Sequence, residues 1–277
     1  MIEPILTYCS EIWGLHNTDC IQTFQLSFLK SMLCVKRSTP NCFVYGELGV
    51  YPINIELKMR VVRFWLKLIR PSTPYESYAR KIYQELLVIK ETHPTQITWV
   101  SKLQDMFNNI GFGHLMTDQH VNNEKQFLTS FKQRLIDIYL QDWTDLVRHT
   151  LDGRLFKHVK YTFKFEQYLD MSDKALRVSI TKIRLSSHLF FIERGRWTNV
   201  ARRERLCDVC NVVEDEYHVF VECPRYSTER KQLLPTILKT RPSMNEFIKY
   251  FRCENVTEFK RVGRLCVKIQ KEHKQYL

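Results

Sequence analysis

Apolar side chains recur at intervals of three and four residues through most of the first half of the chain. This spacing places them on one face of an α-helix. Eight glycines and nine prolines among 277 residues leave long stretches without a helix breaker. The sequence therefore predicts a mainly α-helical protein. The helices predicted in the first half run from Thr18 or Asp19 to Leu33, from about Asn54 to Pro71, from Pro74 through Ile89, from Thr95 to Gly111, and from Asn123 to His149 as one helix or two joined ones.

Local signals refine this pattern. Ser72 and Thr73 precede Pro74, which suits the cap and the first position of a helix carrying Tyr78 and Ile82. Alternating apolar residues between 151 and 169 favour a short extended segment. The alternating residues are Phe156, Val159, Tyr161, Phe163 and Phe165. The apolar side predicted for the helix after Thr18 is made of Ile21, Phe24, Phe28, Leu29, Met32 and Leu33.

We place a domain boundary near residue 171, between a helical region, 1–171, and a basic region, 172–277. Ser172 or Asp173 is expected to cap a helix whose apolar residues include Leu176 and Ile183. A cysteine cluster follows, with helices predicted from Pro224 to Leu234 and beyond Asn245. The predicted fold is mainly α, a helical N-terminal region plus a small C-terminal CCHC zinc-knuckle module, 200–226, flanked by helices.

The chain has a formal charge of +12, most of it in the C-terminal part. Residues 1–176 contain 21 Lys and Arg against 18 Asp and Glu, whereas residues 177–277 contain 21 against 12. Such a concentration of positive charge is typical of proteins that bind a polyanion, most often nucleic acid. The alternative is a soluble surface that happens to be rich in lysine and arginine.

The nine cysteines point to metal binding more than to disulfides. Their number is odd, the start of the chain lacks the basic segment of a signal peptide, and no apolar run is long enough for a membrane span. We therefore expect an intracellular protein, nuclear or cytoplasmic, without a membrane partner. In a reducing compartment, clustered cysteines bind metal more often than they pair.

Cys207, Cys210, His218 and Cys223 follow the spacing C-x2-C-x7-H-x4-C. Two cysteines separated by two residues can place both thiolates on one ion, and a distant His and Cys complete the tetrahedral set that zinc prefers. Four protein ligands leave no position for an activated water, so the site is predicted to hold one structural Zn²⁺. Pro224 is expected to start a helix capped by Cys223.

An arginine-rich segment directly precedes these cysteines, with five arginines and one tryptophan between residues 194 and 205. Guanidinium groups suit bidentate phosphate contacts, and an indole can stack on an unpaired base. The acidic residues between 207 and 223 repel phosphate, so nucleic acid is expected on the flanks of the metal module. The predicted contact residues are Arg194, Arg196, Trp197, Arg202, Arg203 and Arg205. Alternatively, Trp197 belongs to the core and the arginines form a solvated turn.

The sequence contains none of the common catalytic motifs. It has no Asp-Asp pair of the kind that holds polymerase magnesium, no phosphate-binding glycine loop, no H-E-x-x-H and no G-x-S-x-G. His16, His93 and His188 stand without a recognisable partner in the sequence. We therefore predict no catalytic residues and no enzymatic activity.

Several segments together resemble the region that follows the polymerase domain in non-LTR retrotransposon reverse transcriptases. Those near the cysteines are Ile183–His188, Glu193–Trp197, Arg205–Cys210 and Glu214–Tyr226, and those near the N-terminus are Ile5–Tyr8, Glu11–Gly14, Phe28–Lys30 and Glu47–Gly49. The resemblance implies a zinc knuckle on the same four ligands. It also implies a role in gripping template RNA or target DNA, with a polymerase domain as a possible partner.

Three hypotheses follow from these observations. The first is a zinc-dependent module that binds RNA or DNA and derives from a retroelement reverse transcriptase, without its polymerase and endonuclease residues. The second is a helical protein-interaction or structural protein in which zinc stabilises the C-terminal region. The third is an enzyme subunit that completes an active site beside a polymerase chain.

Overall fold

The computed structural model describes residues 3–16, 18–150, 155–233, 241–252 and 256–276. Within these ranges the chain is mainly helical, and pairing of extended residues is limited to two isolated bridges, Leu48 with Phe165 and Leu206 with Val213. The mainly α fold predicted from the apolar spacing is therefore confirmed. No helix in these ranges is long and apolar enough to cross a lipid bilayer.

The chain divides into two compact units, each built from two separate stretches of sequence. Unit one comprises residues 1–25 and 51–142, and unit two comprises residues 26–50 and 143–277. Helices α3 (Asp19–Met32) and α9 (Glu124–His149) contribute residues to both units. The limits of the units differ from residue 171, and the boundary placed there stays a prediction about domain organisation.

Unit one is organised around helix α5 (Ile53–Ile69), which begins and ends close to its predicted limits. The indole of Trp65 is fully buried, lies edge-on to Phe107 and donates a hydrogen bond of 3.0 Å to the hydroxyl of Tyr83. This pairing satisfies the polar edge of the largest side chain in the core. The other helices lying wholly in this unit are α1 (Glu3–Leu6), α2 (Ser10–Trp13), α6 (Tyr78–Thr92), α7 (Trp99–Ile110) and α8 (Leu115–Asp118).

The predicted start of α6 at Pro74 is wrong, since the helix begins at Tyr78 with Ser77 as its N-cap residue. The hydroxyl of Thr73 donates a hydrogen bond to the carbonyl of Lys67 near the end of α5, so it does not cap α6. The backbone of Ser77 closes a turn on Pro74 instead. Ser72, Thr73 and Pro74 therefore belong to the turn that follows α5, and α6 begins four residues after Pro74.

Helix α7 begins at Trp99, later than the predicted Thr95, because Thr98 and Ser101 form a capping box. Its predicted end is confirmed, with Gly111 as the C-cap residue in the left-handed conformation. The stretch predicted to begin at Asn123 is one continuous helix, α9.

The predicted apolar side of α3 is divided in the structure. Leu29 and Leu33 are buried, but Phe24, Phe28 and Met32 expose 49%, 45% and 56% of their surfaces. The exposed residues are spaced by four and form their own row along the helix. The apolar stripe of α3 is therefore wider than the face that the protein buries.

The extended segment predicted between residues 151 and 169 is wrong for Phe156 and Val159, which are buried in a short helix, α10 (Phe156–Val159). The ring of Phe156 stacks on Phe43 with the centroids 4.2 Å apart. Phe165 forms the isolated bridge with Leu48, and no strand pairs with the segment in the described part of the chain. Residues 151–154 lie outside the described residues.

Unit two holds most of the C-terminal part of the chain. Asp173 caps α11 (Lys174–Arg184) by accepting hydrogen bonds from Ala175 and Leu176, as predicted. Helix α11 lies against α15 (Val256–His273), where Gly263 allows close approach to Ile180. The other helices here are α4 (Asn41–Leu48), α12 (Phe191–Trp197), α13 (Ser227–Leu233) and α14 (Met244–Phe251). The predicted helix end at Leu234 lies just outside the described residues.

A buried ionic network joins α4 to α11. The guanidinium of Arg184 contacts Glu47 through Nε, 2.6 Å from Oε1, and lies 3.2 Å from Oε2 of Glu166. Glu166 also pairs with Lys160, and Tyr168 donates its hydroxyl to Glu47 over 2.5 Å. The negative charges of Glu47 and Glu166 are therefore matched by the positive charges of Lys160 and Arg184 in a region that excludes solvent.

Substitution of Gly49 by Ala is expected to lower the free energy of unfolding of the protein by more than about 1 kcal/mol. Gly49 ends α4 with φ +60°, and a Cβ there would lie 2.4 Å from the backbone nitrogen of Phe165. Gly111→Ala is the matched control, because its φ is +92° but no atom lies within 4 Å of the added Cβ. Urea denaturation should show a larger loss for Gly49→Ala, and equal losses would contradict this account.

Candidate metal centre

Cys207 and Cys210 lie in a tight turn whose two arms meet at the bridge between Leu206 and Val213. The backbone nitrogen of Cys207 donates to the carbonyl of Val212 over 2.7 Å, and the nitrogen of Asn211 donates to the carbonyl of Cys207 over 2.8 Å. Asn211 adopts φ 55°, a left-handed conformation that asparagine tolerates better than most residues. The turn directs both thiols of the C-x2-C pair to the same side.

His218 and Cys223 are brought together by a π-helical turn, His218–Glu222. The backbone nitrogen of Cys223 donates to the carbonyl of His218 over 2.8 Å, the i to i+5 bond of this wide turn. The carboxylate of Asp215 accepts a hydrogen bond from the nitrogen of His218 at the start of the turn. As predicted, Cys223 caps the turn that begins at Pro224, and that turn leads into α13.

The four predicted ligands converge in the structure. One ligand atom from each of Cys207, Cys210, His218 and Cys223 lies within 4.8 Å of the others, an arrangement that could hold a metal ion. The sulfur of Cys223 lies 3.9 Å from the sulfurs of Cys207 and Cys210. That separation is far beyond a disulfide bond, and it matches the spacing of about 3.8 Å between two sulfurs bound to one tetrahedral zinc.

The imidazole of His218 gives a second indication that a cation fits this cluster. His218 is buried, and its Nε2 has no hydrogen-bond partner among the described residues. A buried polar atom without a partner costs free energy, which a metal–nitrogen bond would recover. Nδ1 lies 3.4 Å from a carboxylate oxygen of Glu222, the kind of outer contact that orients metal-binding histidines.

The cluster is anchored in the apolar core of unit two. Val219 and Phe220, within the π-helical turn, are buried in the same apolar cluster as Cys207 and Cys223, and Phe220 lies edge-on to Phe251 of α14. Burial, with smaller contributions from the neighbouring thiols of Cys207 and Cys210, raises the pKa of the Cys223 thiol to about 12. Binding of a metal ion would therefore have to displace the proton of the Cys223 thiol.

Arginines from outside the motif approach the acidic groups of the metal module. Arg225 pairs with Asp208 and holds the pKa of its carboxyl below the usual value. Arg241 pairs with Glu222, and Arg230 contacts the carbonyl of Val219. These arginines follow the acidic stretch 207–223 in the sequence, and the fold brings them into contact with the metal module.

Beneath the module, acidic and histidine side chains form buried pairs. His188, without a recognisable partner in the sequence, lies 3.1 Å from the carboxylate of Glu216. The carboxylate of Glu214 accepts a hydrogen bond from the nitrogen of Phe191, the first residue of α12. Burial raises the pKa of Glu214. These contacts connect the module to the arginine-rich segment.

Two of the six predicted nucleic-acid residues, Arg196 and Arg205, are partly buried and bond to neighbouring groups. Arg205 donates from Nη1 to the carbonyl of Ile192 over 2.6 Å and from Nε to the carbonyl of Val200 over 3.0 Å. Arg196 lies 3.0 Å from the carboxylate of Glu193. Arg205 therefore closes the loop between α12 and the metal module, and its guanidinium is largely committed to that role.

The remaining four predicted residues are exposed. Trp197 exposes 60% of its surface at the end of α12, which contradicts a place in the core. Arg194 lies over the ring of Phe191, with 5.1 Å between guanidinium carbon and ring centroid. Arg202 and Arg203 lie in a short 3-10 turn and are also exposed.

Backbone hydrogen bonds attach this exposed segment to the metal module. The nitrogen of Glu214 donates to the carbonyl of Arg205 over 2.9 Å, and the nitrogen of Ile192 donates to the carbonyl of Glu214 over 3.3 Å. At Gly195, a Cβ would lie 2.8 Å from the side chain of Arg205, so a larger residue would displace it. The orientation of the exposed residues thus depends on the turn that carries the cysteines.

No protein-family model, curated protein or solved structure matches this chain. Function has to be inferred from the chemistry of the residues themselves.

Proposed function

We propose that the chain binds one structural Zn²⁺ through Cys207, Cys210, His218 and Cys223. Three sulfurs and one imidazole nitrogen are the donor set that zinc prefers. The sulfur spacing and the buried Nε2 without a partner support this assignment. When bound, the ion would supply folding free energy, and its four protein ligands would leave no position for a reactive water.

We further propose that the zinc-braced module binds nucleic acid. The observation that carries this proposal is the exposed group formed by Arg194, Trp197, Arg202 and Arg203. These residues lie between Ile192 and Arg205, whose backbones are both hydrogen-bonded to Glu214 of the metal module. Guanidinium groups pair with phosphates, and an exposed indole offers a face on which an unpaired base can stack. Zinc would act by holding these groups in position.

The resemblance to non-LTR retrotransposon reverse transcriptases gives the proposal a context. The chain would then correspond to the post-polymerase region, contacting template RNA or target DNA beside a polymerase domain and contributing no catalytic residue of its own. Its four zinc ligands match the family motif one for one, and the arginine-rich segment lies in the same part of the motif.

Reversal of charge at Arg202 and Arg203, both to Glu, is expected to weaken binding of oligonucleotides and to flatten its dependence on salt. Each lost phosphate contact reduces the slope of log K against log salt concentration by about 0.9 for duplex DNA and about 0.7 for single strands. Mobility-shift titrations of single- and double-stranded RNA and DNA at several salt concentrations would measure both effects.

The matched control replaces Lys132 and Arg148 with Glu, which changes the net charge equally at two exposed positions of α9. The proposal requires the Arg202/Arg203 variant to lose more affinity and more salt slope than this control. Equal losses of affinity and salt slope in the two variants would show that the nucleic-acid contact surface lies elsewhere on the protein.

A protein-interaction role is the second candidate, favoured by exposed apolar residues in unit one. Tyr78 and Ile82 lie four residues apart on α6 and expose 84% and 60% of their surfaces. In that case zinc would serve folding alone. The zinc-loaded chain would then give no salt-dependent shift with any of the four probes.

A further inference from the structure

A cavity of about 320 Å³ lies in unit two, lined by three lysines from three separate segments of the chain. Lys36 follows α3, Lys182 lies on α11, and Lys274 follows α15. No carboxylate lines this cavity among the described residues. The volume falls within the range typical of small-ligand pockets.

The three ammonium groups lack compensation by acids. None of them forms an ion pair with a carboxylate in the described part of the chain, although more distant Glu193 attracts Lys36. Burial lowers the pKa of Lys36, and repulsion from Lys182 lowers it further. Lys36 and Lys182 therefore repel each other, and an anion bound in the cavity would offset this repulsion.

Several hydrogen-bond donors at the cavity remain available. The ammonium of Lys36 uses one proton on the carbonyl of His188, over 2.7 Å, and has two more to donate. The hydroxyl of Ser187 is buried and accepts from the nitrogen of Lys36 over 2.8 Å, but it donates to no described residue. A buried hydroxyl proton without an acceptor is unfavourable, and an oxygen-rich ligand would satisfy it.

We propose that this cavity binds the phosphate group of a nucleotide or of a nucleic-acid strand. A phosphate offers several negatively charged oxygens, which could accept hydrogen bonds from lysines contributed by three segments of the chain. The apolar part of the lining, including Val35 and Phe190, provides a surface for the organic part of the ligand. A metal cation is disfavoured, because the lining combines three ammonium groups with no carboxylate.

This inference concerns residues outside the arginine-rich segment and does not depend on its binding nucleic acid. The probes are adenosine 5′-monophosphate, inorganic phosphate and adenosine, each titrated calorimetrically into the zinc-loaded full chain. We expect saturable binding of the two phosphates and none of adenosine. In the Lys182→Gln/Lys274→Gln variant, affinity for the monophosphate should fall roughly tenfold or more.

Lys268→Gln/Lys271→Gln is the matched control, since both residues are exposed on α15, do not line the cavity, and give the same change in net charge. Its affinity should equal that of the native chain. Equal weakening in the two variants, or equal heats from adenosine and its monophosphate, would overturn the proposal. Lys274→Gln alone, at an exposed position, provides a second variant if the double substitution impairs folding.

A pair of oligonucleotides with and without a 5′-phosphate distinguishes the sources of the group. Preference for the phosphorylated strand, lost in the Lys182/Lys274 variant, would identify a terminal phosphate, and equal weakening of both strands would identify one within the backbone. The Arg202/Arg203 variant should keep its affinity for the monophosphate. A negative mobility-shift result would therefore refute only the binding of nucleic acid by the arginine-rich segment. Absence of phosphate binding would refute the proposal for this cavity.

Discussion

Replacement of Cys210 by Ser is expected to abolish metal binding and to unfold the segment around residues 200–235 while the helices of unit one remain folded. Structural zinc contributes on the order of 10 kcal/mol to folding in small zinc peptides at neutral pH. Without the metal, the turn that carries Cys207 and Cys210 is held by one bridge, a few backbone hydrogen bonds and the ion pair of Asp208 with Arg225. Cys207→Ser and His218→Ala should have the same effect.

Metal analysis of the native protein should give one zinc per chain, and the Cys210→Ser protein should give none. Hydrogen exchange should show protection lost around the turn and retained in α5 and α7, whose packing lies within unit one. Cys20→Ser is the matched control, because Cys20 is an exposed free thiol. A native protein purified without metal, or unaltered protection in the Cys210 variant, would refute the zinc assignment.

The second large effect is expected at the buried network of unit two. Arg184→Met should lower the free energy of unfolding by about 3–5 kcal/mol, because it leaves a carboxylate buried without its partner. The side chains of Arg184 and Glu47 are both fully buried, and the guanidinium of Arg184 is hydrogen-bonded directly to the carboxylate of Glu47. The remaining cation of the network, Lys160, bonds directly to Glu166.

A double variant, Glu47→Leu/Arg184→Met, distinguishes the cost of an orphaned charge from the cost of lost packing. Removing both charges should restore much of the stability that the single substitution loses. Arg70→Met, which breaks the exposed pair with Glu124, is the control and should have little effect. Urea unfolding of the four proteins measures these differences. A double variant no more stable than Arg184→Met would show that the charges themselves are not the cause.

The metal ligands were predictable from sequence because they depend on local geometry. The C-x2-C pair lies in one turn, and His218 and Cys223 lie at the two ends of another, so short stretches of chain preorganise each pair. The contact between the two turns is a tertiary interaction. It was nevertheless predictable, because a tetrahedral zinc site requires four donors and the two turns supply four of the right type. The exposure of Trp197 could not be predicted from the sequence, since a tryptophan flanked by arginines is compatible with a buried or an exposed position.

The lysine-lined cavity and the buried ionic network left no signal in the sequence. Lys36, Lys182 and Lys274 are far apart along the chain, and each alone resembles an ordinary surface lysine. Glu47 and Arg184 are separated by 137 residues, and no local pattern marks them as partners. Such side chains become interaction partners when packing removes them from water, because burial raises the free-energy cost of an unpaired charge.

By itself, the sequence determined the helices with strong periodicity and clear breakers, such as α5 before Pro71 and α7 before Gly111, and the four ligands with metal spacing. Tertiary structure decided which apolar stripe is buried on α3 and which charges share a buried environment. Periodicity and capping act over a few residues and can be read in order along the chain. Burial and charge pairing depend on residues that folding brings together from distant segments.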